Sequence, residues 1–333
     1  METGSSENRE TEGAPRRGSE PKKEAPVDAN PESPQVTPSE ENTLETCFSG
    51  SALTLSEATE LTAHDRVRLI LIAGDPESGK TSLLASLFQL FLKGPFAEFK
   101  FGGSRSLLGF DRRCFLARID SGNTNHQFER TLHGSEQCLL HLRVTSQNRE
   151  DYPKVKATDL LFSDLSGEEF RSAQDSLDAC RGLRLLPNAD RFVVLVDGEK
   201  IIDLKTRQTA KSSVRNILRS VLDSGSMSPW VPVEVLFTKW DLVEHADDDG
   251  RAVKFVDEIE SDLRKLFESR LSVLHFNRVS PVPEKGEFKL GWGIESVFPN
   301  WVEDLPEHHF KFSPRQLLSV KTQFDEFGNR NSC

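Results

Sequence analysis

VRLILIAGDPESGKTSLL spans Val67 to Leu84. Its first part is short, rich in aliphatic and β-branched residues and closed by Gly74, which reads as a buried strand. Gly74, Gly79, Lys80 and Thr81 then fit G-x-x-x-x-G-K-[ST]. Leu83, Leu84, Leu87, Phe88 and Phe91 follow at helical spacing until Gly94 stops the pattern. Phosphate oxygens need many N–H donors at short range together with countercharge. A loop that opens a helix offers both, through exposed backbone amides and the positive end of the helix dipole. Gly79 lets the backbone come close, Lys80 reaches the β and γ phosphates, and the Thr81 hydroxyl is suited to Mg²⁺. Asp75, Glu77 and Ser78 complete the phosphate-facing loop, and Ser82 follows on the first helical turn. Pro76 brings no N–H to this loop, and its ring is expected to narrow the γ-phosphate side.

Downstream, apolar runs alternate with amphipathic ones. QCLLHLRVT (137–145), KATDLLFSDL (156–165), ADRFVVLVDG (189–198), PVEVLFTKWD (232–241) and VLHFNRVS (273–280) read as strands. Helices are expected over 208–223, 257–271 and 293–304. This alternation predicts an α/β fold, a mainly parallel central sheet with helices on both faces.

Two further motifs lie at strand ends. In LLFSDLSGEEF (160–170), Asp164 is followed three residues later by Gly167. Placed after a phosphate loop, the carboxylate would hold Mg²⁺ through water, and the Gly167 N–H would touch the γ-phosphate. That second contact exists only with a triphosphate, which makes the following loop a switch. In LFTKWDLV (236–243), Asp241 can accept two parallel hydrogen bonds from the N1–H and N2–H₂ of guanine, donors that adenine lacks. Lys239 can lay its stem over the ring, and Thr238 stands where Asn is more usual.

GDPESGKT, DLSG and TKWD, in this order and each at a strand end, resemble the translation-factor and Ras-like (TRAFAC) class of P-loop GTPases over residues 65–304. LLFSDLSGEEF, DRFVVLVDGEK, PVEVLFTKWDLV and FNRVSP are similar, more narrowly, to the bacterial double-GTPase group (double-GTPase 2). The resemblance implies a three-layer P-loop GTPase fold, GTP or GDP with Mg²⁺, and a regulatory task in conflict- or defence-type systems. It also implies a second GTPase module, or a second copy of this chain, as partner. It places Ser280 near the guanine carbonyl, where Pro281 departs from the usual Ser-Ala pair.

The stretch between Gly94 and Gln137 is far longer than a minimal domain of this class needs, so an insert and the first switch are expected there. Thr131 is the switch threonine read for Mg²⁺, with Thr124 as its competitor. Glu168 stands where Ras-like enzymes place a water-orienting Gln; a carboxylate accepts from water but cannot donate to phosphate oxygens. Arg130 is the nearest arginine to offset that charge, with Arg112 and Arg113 as alternatives. Catalysis is thus read onto Lys80, Glu168 and Arg130. The competing readings are a P-loop ATPase or kinase in which TKWD is coincidental, and a non-hydrolytic nucleotide-binding scaffold.

Composition narrows the setting. The formal net charge of -11 argues against broad nucleic-acid binding. No run of about 18 apolar residues is present, so no membrane span is expected. Five scattered cysteines without a C-x-x-C pair suit reduced thiols in a cytoplasmic protein. Residues 1–46, rich in Pro, Glu, Ser and Thr, are read as a disordered tail, and 305–333 as a polar C-terminal tail.

Overall fold

The computed structural model describes residues 49–64, 67–115, 137–146, 157–163, 167–246 and 250–303. Seven strands form one sheet: β1 (Val67–Gly74), β2 (Phe99–Gly103), β3 (Leu139–Ser146), β4 (Ala157–Ser163), β5 (Arg191–Asp197), β6 (Val233–Thr238) and β7 (Leu274–Arg278). Their order is β2-β3-β4-β1-β5-β6-β7. β4, β1, β5, β6 and β7 run parallel; β2 and β3 are antiparallel to their neighbours. β1 runs without a polar break from Leu69 onward because both of its faces are covered. Ile70 and Ile72 face one apolar layer, and Leu71 and Ala73 face the other.

Ten α-helices are described: α1 (Leu55–His64), α2 (Lys80–Lys93), α3 (Leu107–Phe115), α4 (Gly167–Asp175), α5 (Leu177–Arg181), α6 (Gly198–Ile202), α7 (Arg207–Ser224), α8 (Trp240–Ala246), α9 (Arg251–Phe267) and α10 (Ile294–Val302). Leu83, Leu84, Leu87 and Phe88 of α2 pack with Phe110 of α3 and Phe298 and Trp301 of α10 on one face of the sheet. Val214, Ile217 and Val221 of α7 and Phe255, Ile259 and Leu263 of α9 fill the other.

Some boundaries differ from the sequence reading. Packed structure begins before residue 65. Leu53 pairs with Leu139, and Leu53, Ala58 and Leu61 are buried in the α7–α9 layer. α1 is started by a reciprocal cap in which the Thr54 N–H donates to Glu57 Oε2 and the Glu57 N–H to Thr54 Oγ1. α9 starts at Arg251, not 257, because Gly250 takes the left-handed conformation (φ 67°) that turns the chain into the helix. The described residues of the expected insert after α2 form β2 and α3, an added edge strand and a short helix. Ser106 ties it to the sheet through the His141 N–H. The Arg105 N–H donates to His141 Nδ1, so Nε2 carries the proton and donates to Asp159.

The end of the sheet away from the phosphate loop holds a buried carboxylate. Glu234, 2% exposed, accepts from Trp301 Nε1 and Asn300 Nδ2. Burial lifts its carboxyl above the usual range, and these donors offset that only in part. A carboxyl raised in the folded state favours folding fully below its unfolded pKa of 4.5. That contribution is lost as pH climbs through the folded value. Glu234→Gln should therefore gain stability relative to the parent between about pH 4.5 and about pH 7.5. Urea midpoints of both proteins at the two pH values measure this; a constant difference would contradict it.

Candidate nucleotide site

The strand register brings the carboxyl ends of β1, β5 and β6 into one row, with Gly74 opposite Leu195 and Asp197 opposite Thr238. Strand order reverses at β1, and open α/β sheets place their ligand crevice at such a switch point. The loop from Gly74 to Gly79 crosses this row and opens α2. Gly79 lies in the left-handed region at φ 92°, and no side chain caps the first turn of α2. The N–H groups there remain directed out of the helix.

Close packing sets the loop's shape. A Cβ on Gly74 would stand 2.6 Å from Ser78 Oγ and 2.9 Å from the Leu195 carbonyl oxygen. Glu77 holds a left-handed φ of 68°, a conformation that costs a non-glycine residue about 1 kcal/mol. Lys80 Nζ donates to the Gly74 and Asp75 carbonyls at 2.8 and 2.9 Å, so its charge is carried across the mouth of the loop. Thr81 is half-buried beside it. Its hydroxyl has the hard oxygen chemistry that Mg²⁺ takes.

Asp75 departs from expectation. Its carboxylate accepts from Ser213 Oγ at 2.6 Å and lies 3.5 Å from Lys200 Nζ. The side chain is thus spent on α6 and α7, which already offer it a donor and a cation. Ser213 in turn accepts from Gln174 Nε2 on α4. Ser78 also departs: the residue is fully buried, and its N–H donates to the Asp75 carbonyl at 3.2 Å.

Thr238, which stands where Asn is more usual, is spent within the protein. Its hydroxyl donates to the Ser78 carbonyl at 2.8 Å, with the Val196 carbonyl at 3.2 Å, and stitches the end of β6 to the phosphate loop. Thr238→Val leaves that buried carbonyl without its donor, which costs about 1–3 kcal/mol. The expected result is a lower urea midpoint and weaker triphosphate binding, with the preference between purine bases unchanged. A shift in base preference would return Thr238 to the base.

Lys239 sits at φ 51° and reaches Asp197 at 3.1 Å and Glu199 at 2.7 Å. Burial opposes its charge, but the two carboxylates outweigh that and raise its pKa. Burial lifts the Asp197 carboxyl too, and Lys239 offsets this in part. Asp241 is the second residue of α8 and is 2% exposed. Its Oδ1 accepts from the Ser280 hydroxyl at 2.9 Å, and Ser280 Oγ accepts from the Asp241 N–H at 2.8 Å. Ser280 is therefore committed to holding Asp241 rather than free for a base carbonyl. Asp241 Oδ2 accepts from the Glu284 and Lys285 N–H groups at 2.8 and 3.1 Å. A cleft of about 260 Å³ joins Gly79 and Ser82 on the loop side to Glu199, Lys239, Asp241 and Glu284 on the other.

Among the other expected residues, Gly167 opens α4 and Glu168 is its second residue. Asp164, Thr131, Thr124 and Arg130 lie outside the described residues. Arg113 turns one guanidinium N–H to the Gly109 carbonyl of its own helix. Sequence reasoning missed Asp197, Glu199, Ser213, Glu284 and Lys285. Asp197 closes an apolar strand ahead of a glycine, a visible signal; the others have none.

The model of the Double-GTPase 2 family matches residues 68–302. The chain belongs to that family. Membership brings guanine-nucleotide binding with it, in a P-loop GTPase fold. In keeping with this, the phosphate-loop elements and the TKWD strand end of this Double-GTPase 2 chain open onto one cleft. Among solved structures, the chain is similar to one titled signal recognition particle receptor SRb-GTP/SRX complex, from Chaetomium thermophilum. That likeness has 15% identity and a TM-score of 0.38, covering 72% of this chain and 97% of the other. No curated protein matches. Among the described residues, no helix is long and apolar enough to cross a membrane.

Proposed function

We propose that this Double-GTPase 2 chain is a Mg²⁺-dependent GTP switch that hydrolyses GTP slowly or at a rate set by a partner. The observation that carries this reading is one cleft bounded by the N-terminus of α2 at one end and by Lys239 and Asp241 at the other. A phosphate chain suits the first end, and a ring with two adjacent N–H donors suits the second.

In this reading Lys80 and the backbone of Asp75, Glu77 and Gly79 hold the phosphates. Thr81, Asp164 and Thr131 would hold Mg²⁺, which would supply countercharge to the phosphates. The Gly167 N–H senses the γ-phosphate, Glu168 orients water, and Arg130 offsets developing charge. Lys239 lies along the ring and Asp241 reads its edge. The family's name motivates a second GTPase module, or a second copy, as the partner that sets the rate, within a regulatory conflict-type system.

Single-turnover phosphate release from GTP, with and without Mg²⁺ and with and without a partner GTPase, tests this. Mg²⁺-dependent release in either mixture is the expected result. Tight GTP binding without release in any mixture would overturn the hydrolytic part and leave a nucleotide-binding scaffold. Equal affinity for ATP and GTP would favour the ATPase or kinase reading.

A further inference from the structure

Resting on the switch reading above, in which α4 begins at the γ-phosphate sensor, we propose that Ser213 and Gln174 are positioning residues of the phosphate loop. They form a latch that ties α4 to the loop through the Asp75 carboxylate. The loop's preference for a triphosphate over a diphosphate depends on this latch.

A carboxylate in a phosphate loop repels its ligand unless it is turned away and compensated. Asp75 meets both conditions. Its Oδ1 accepts from Ser213 Oγ at 2.6 Å, and Lys200 Nζ stands 3.5 Å from Oδ2. The Asp75 carbonyl meanwhile accepts from Lys80 Nζ at 2.9 Å and from the Ser78 N–H at 3.2 Å. One residue therefore holds the loop's cation with its backbone and reaches α7 with its side chain. A displacement of Asp75 is felt at Lys80.

Ser213 gives the chain its direction. A hydroxyl has one proton and a carboxylate only accepts, so that proton goes to Asp75. On its other side Ser213 accepts, and Gln174 Nε2 on α4 donates at 3.1 Å. A hydroxyl that donates to a carboxylate is in turn a stronger acceptor. Ser213 is only 9% exposed, which keeps water from replacing either partner. About two turns further along α7, Ser220 Oγ donates to the Gln174 carbonyl at 3.2 Å. Gln174 is thus gripped by side chain and backbone. Gly167 opens the same helix, roughly 10 Å away along its axis. One end of α4 lies at the sensor and the other is pinned to Asp75. What a triphosphate gains from a fixed α4 is lost when the pin is cut, and a diphosphate, which makes no contact there, loses nothing.

Gln174→Leu keeps the stem, removes the donor and leaves Ser213 on Asp75. The full chain with Mg²⁺ is titrated with GDP and with a non-hydrolysable GTP analogue. Affinity for the analogue should fall about three- to tenfold, the worth of one hydrogen bond, with GDP unchanged within about twofold. In an Asp75→Ala background the same substitution should move the ratio of the two affinities by less than about twofold, because Gln174 then no longer reaches the loop. Equal losses for both ligands, an unchanged ratio, or the same shift with and without Asp75 would overturn the latch. Ser213→Ala cuts the chain at its middle and keeps the test decisive where Gln174→Leu does not fold. The ratio should again drop at least threefold, and a flat ratio refutes the proposal. Hydrogen exchange of the α4 amides in the parent separates this from the switch reading. If exchange differs between the analogue and GDP while the ratios stay flat, the latch fails and the switch reading stands. If α4 exchanges identically with both, the switch reading itself has failed, and the latch with it.

Discussion

Lys80→Ala should cost at least about 100-fold in GTP affinity and leave the fold intact. The Lys80 ammonium is held by two loop carbonyls at the mouth of the helix, where a phosphate chain would meet it. A hydrogen bond between charged groups is worth about 1.5–3 kcal/mol, and two phosphates would share this one cation. A loss of about 3–4 kcal/mol corresponds to roughly 100- to 1,000-fold. The helix does not depend on Lys80, because Leu83, Leu84, Leu87, Phe88 and Phe91 anchor it from its fourth residue onward. Titration with a fluorescent GTP analogue and a thermal melt read both halves. Binding within a few-fold of the parent would remove Lys80 from the phosphate site.

Asp241→Asn should lower GTP affinity by about 100-fold and turn the preference toward XTP. The carboxylate is buried, so a base donor left unpaired there costs its desolvation penalty rather than finding water. The asparagine amide presents an N–H₂ where the ring now requires an acceptor, and xanthine carries a carbonyl at that place. Ser280 bonds Oδ1 and the N–H groups of Glu284 and Lys285 bond Oδ2, so the single amide oxygen keeps only one of these donor sets and a lower urea midpoint accompanies the change at the base. Competition of GTP, ATP and XTP for the site measures it, and an unaltered GTP preference would dismiss Asp241 as the base reader.

Much of the sheet could be read in advance for a simple reason. β1, β4, β5 and β6 are covered on both faces, and double coverage demands the continuous apolar runs that mark them. The phosphate loop was equally open to reading, since strand, glycine turn, Lys-Thr and amphipathic helix are contiguous. β2 was not. FKFGG is short, half-polar and paired on one side only, so nothing local distinguishes it from a loop. α1 carried a legible cap in Thr54 and Glu57, but its weak apolar stripe gains meaning only against α7 and α9.

The same division runs through the site. By itself the sequence determined the order of the motifs along the chain: GDPESGKT, then DLSG, then TKWD. These depend on residue type and near neighbours. Only the tertiary structure decided what each polar side chain is occupied with. Asp75 is drawn to Ser213 of α7, Thr238 binds the Ser78 carbonyl, Ser280 holds one oxygen of Asp241, and the N–H groups of Glu284 and Lys285 bond its other oxygen. Hydrogen-bonding groups are spent on whichever partner packing brings within about 3 Å, and partners as far apart in the chain as Asp75 and Ser213 meet only once the sheet is closed by its helices.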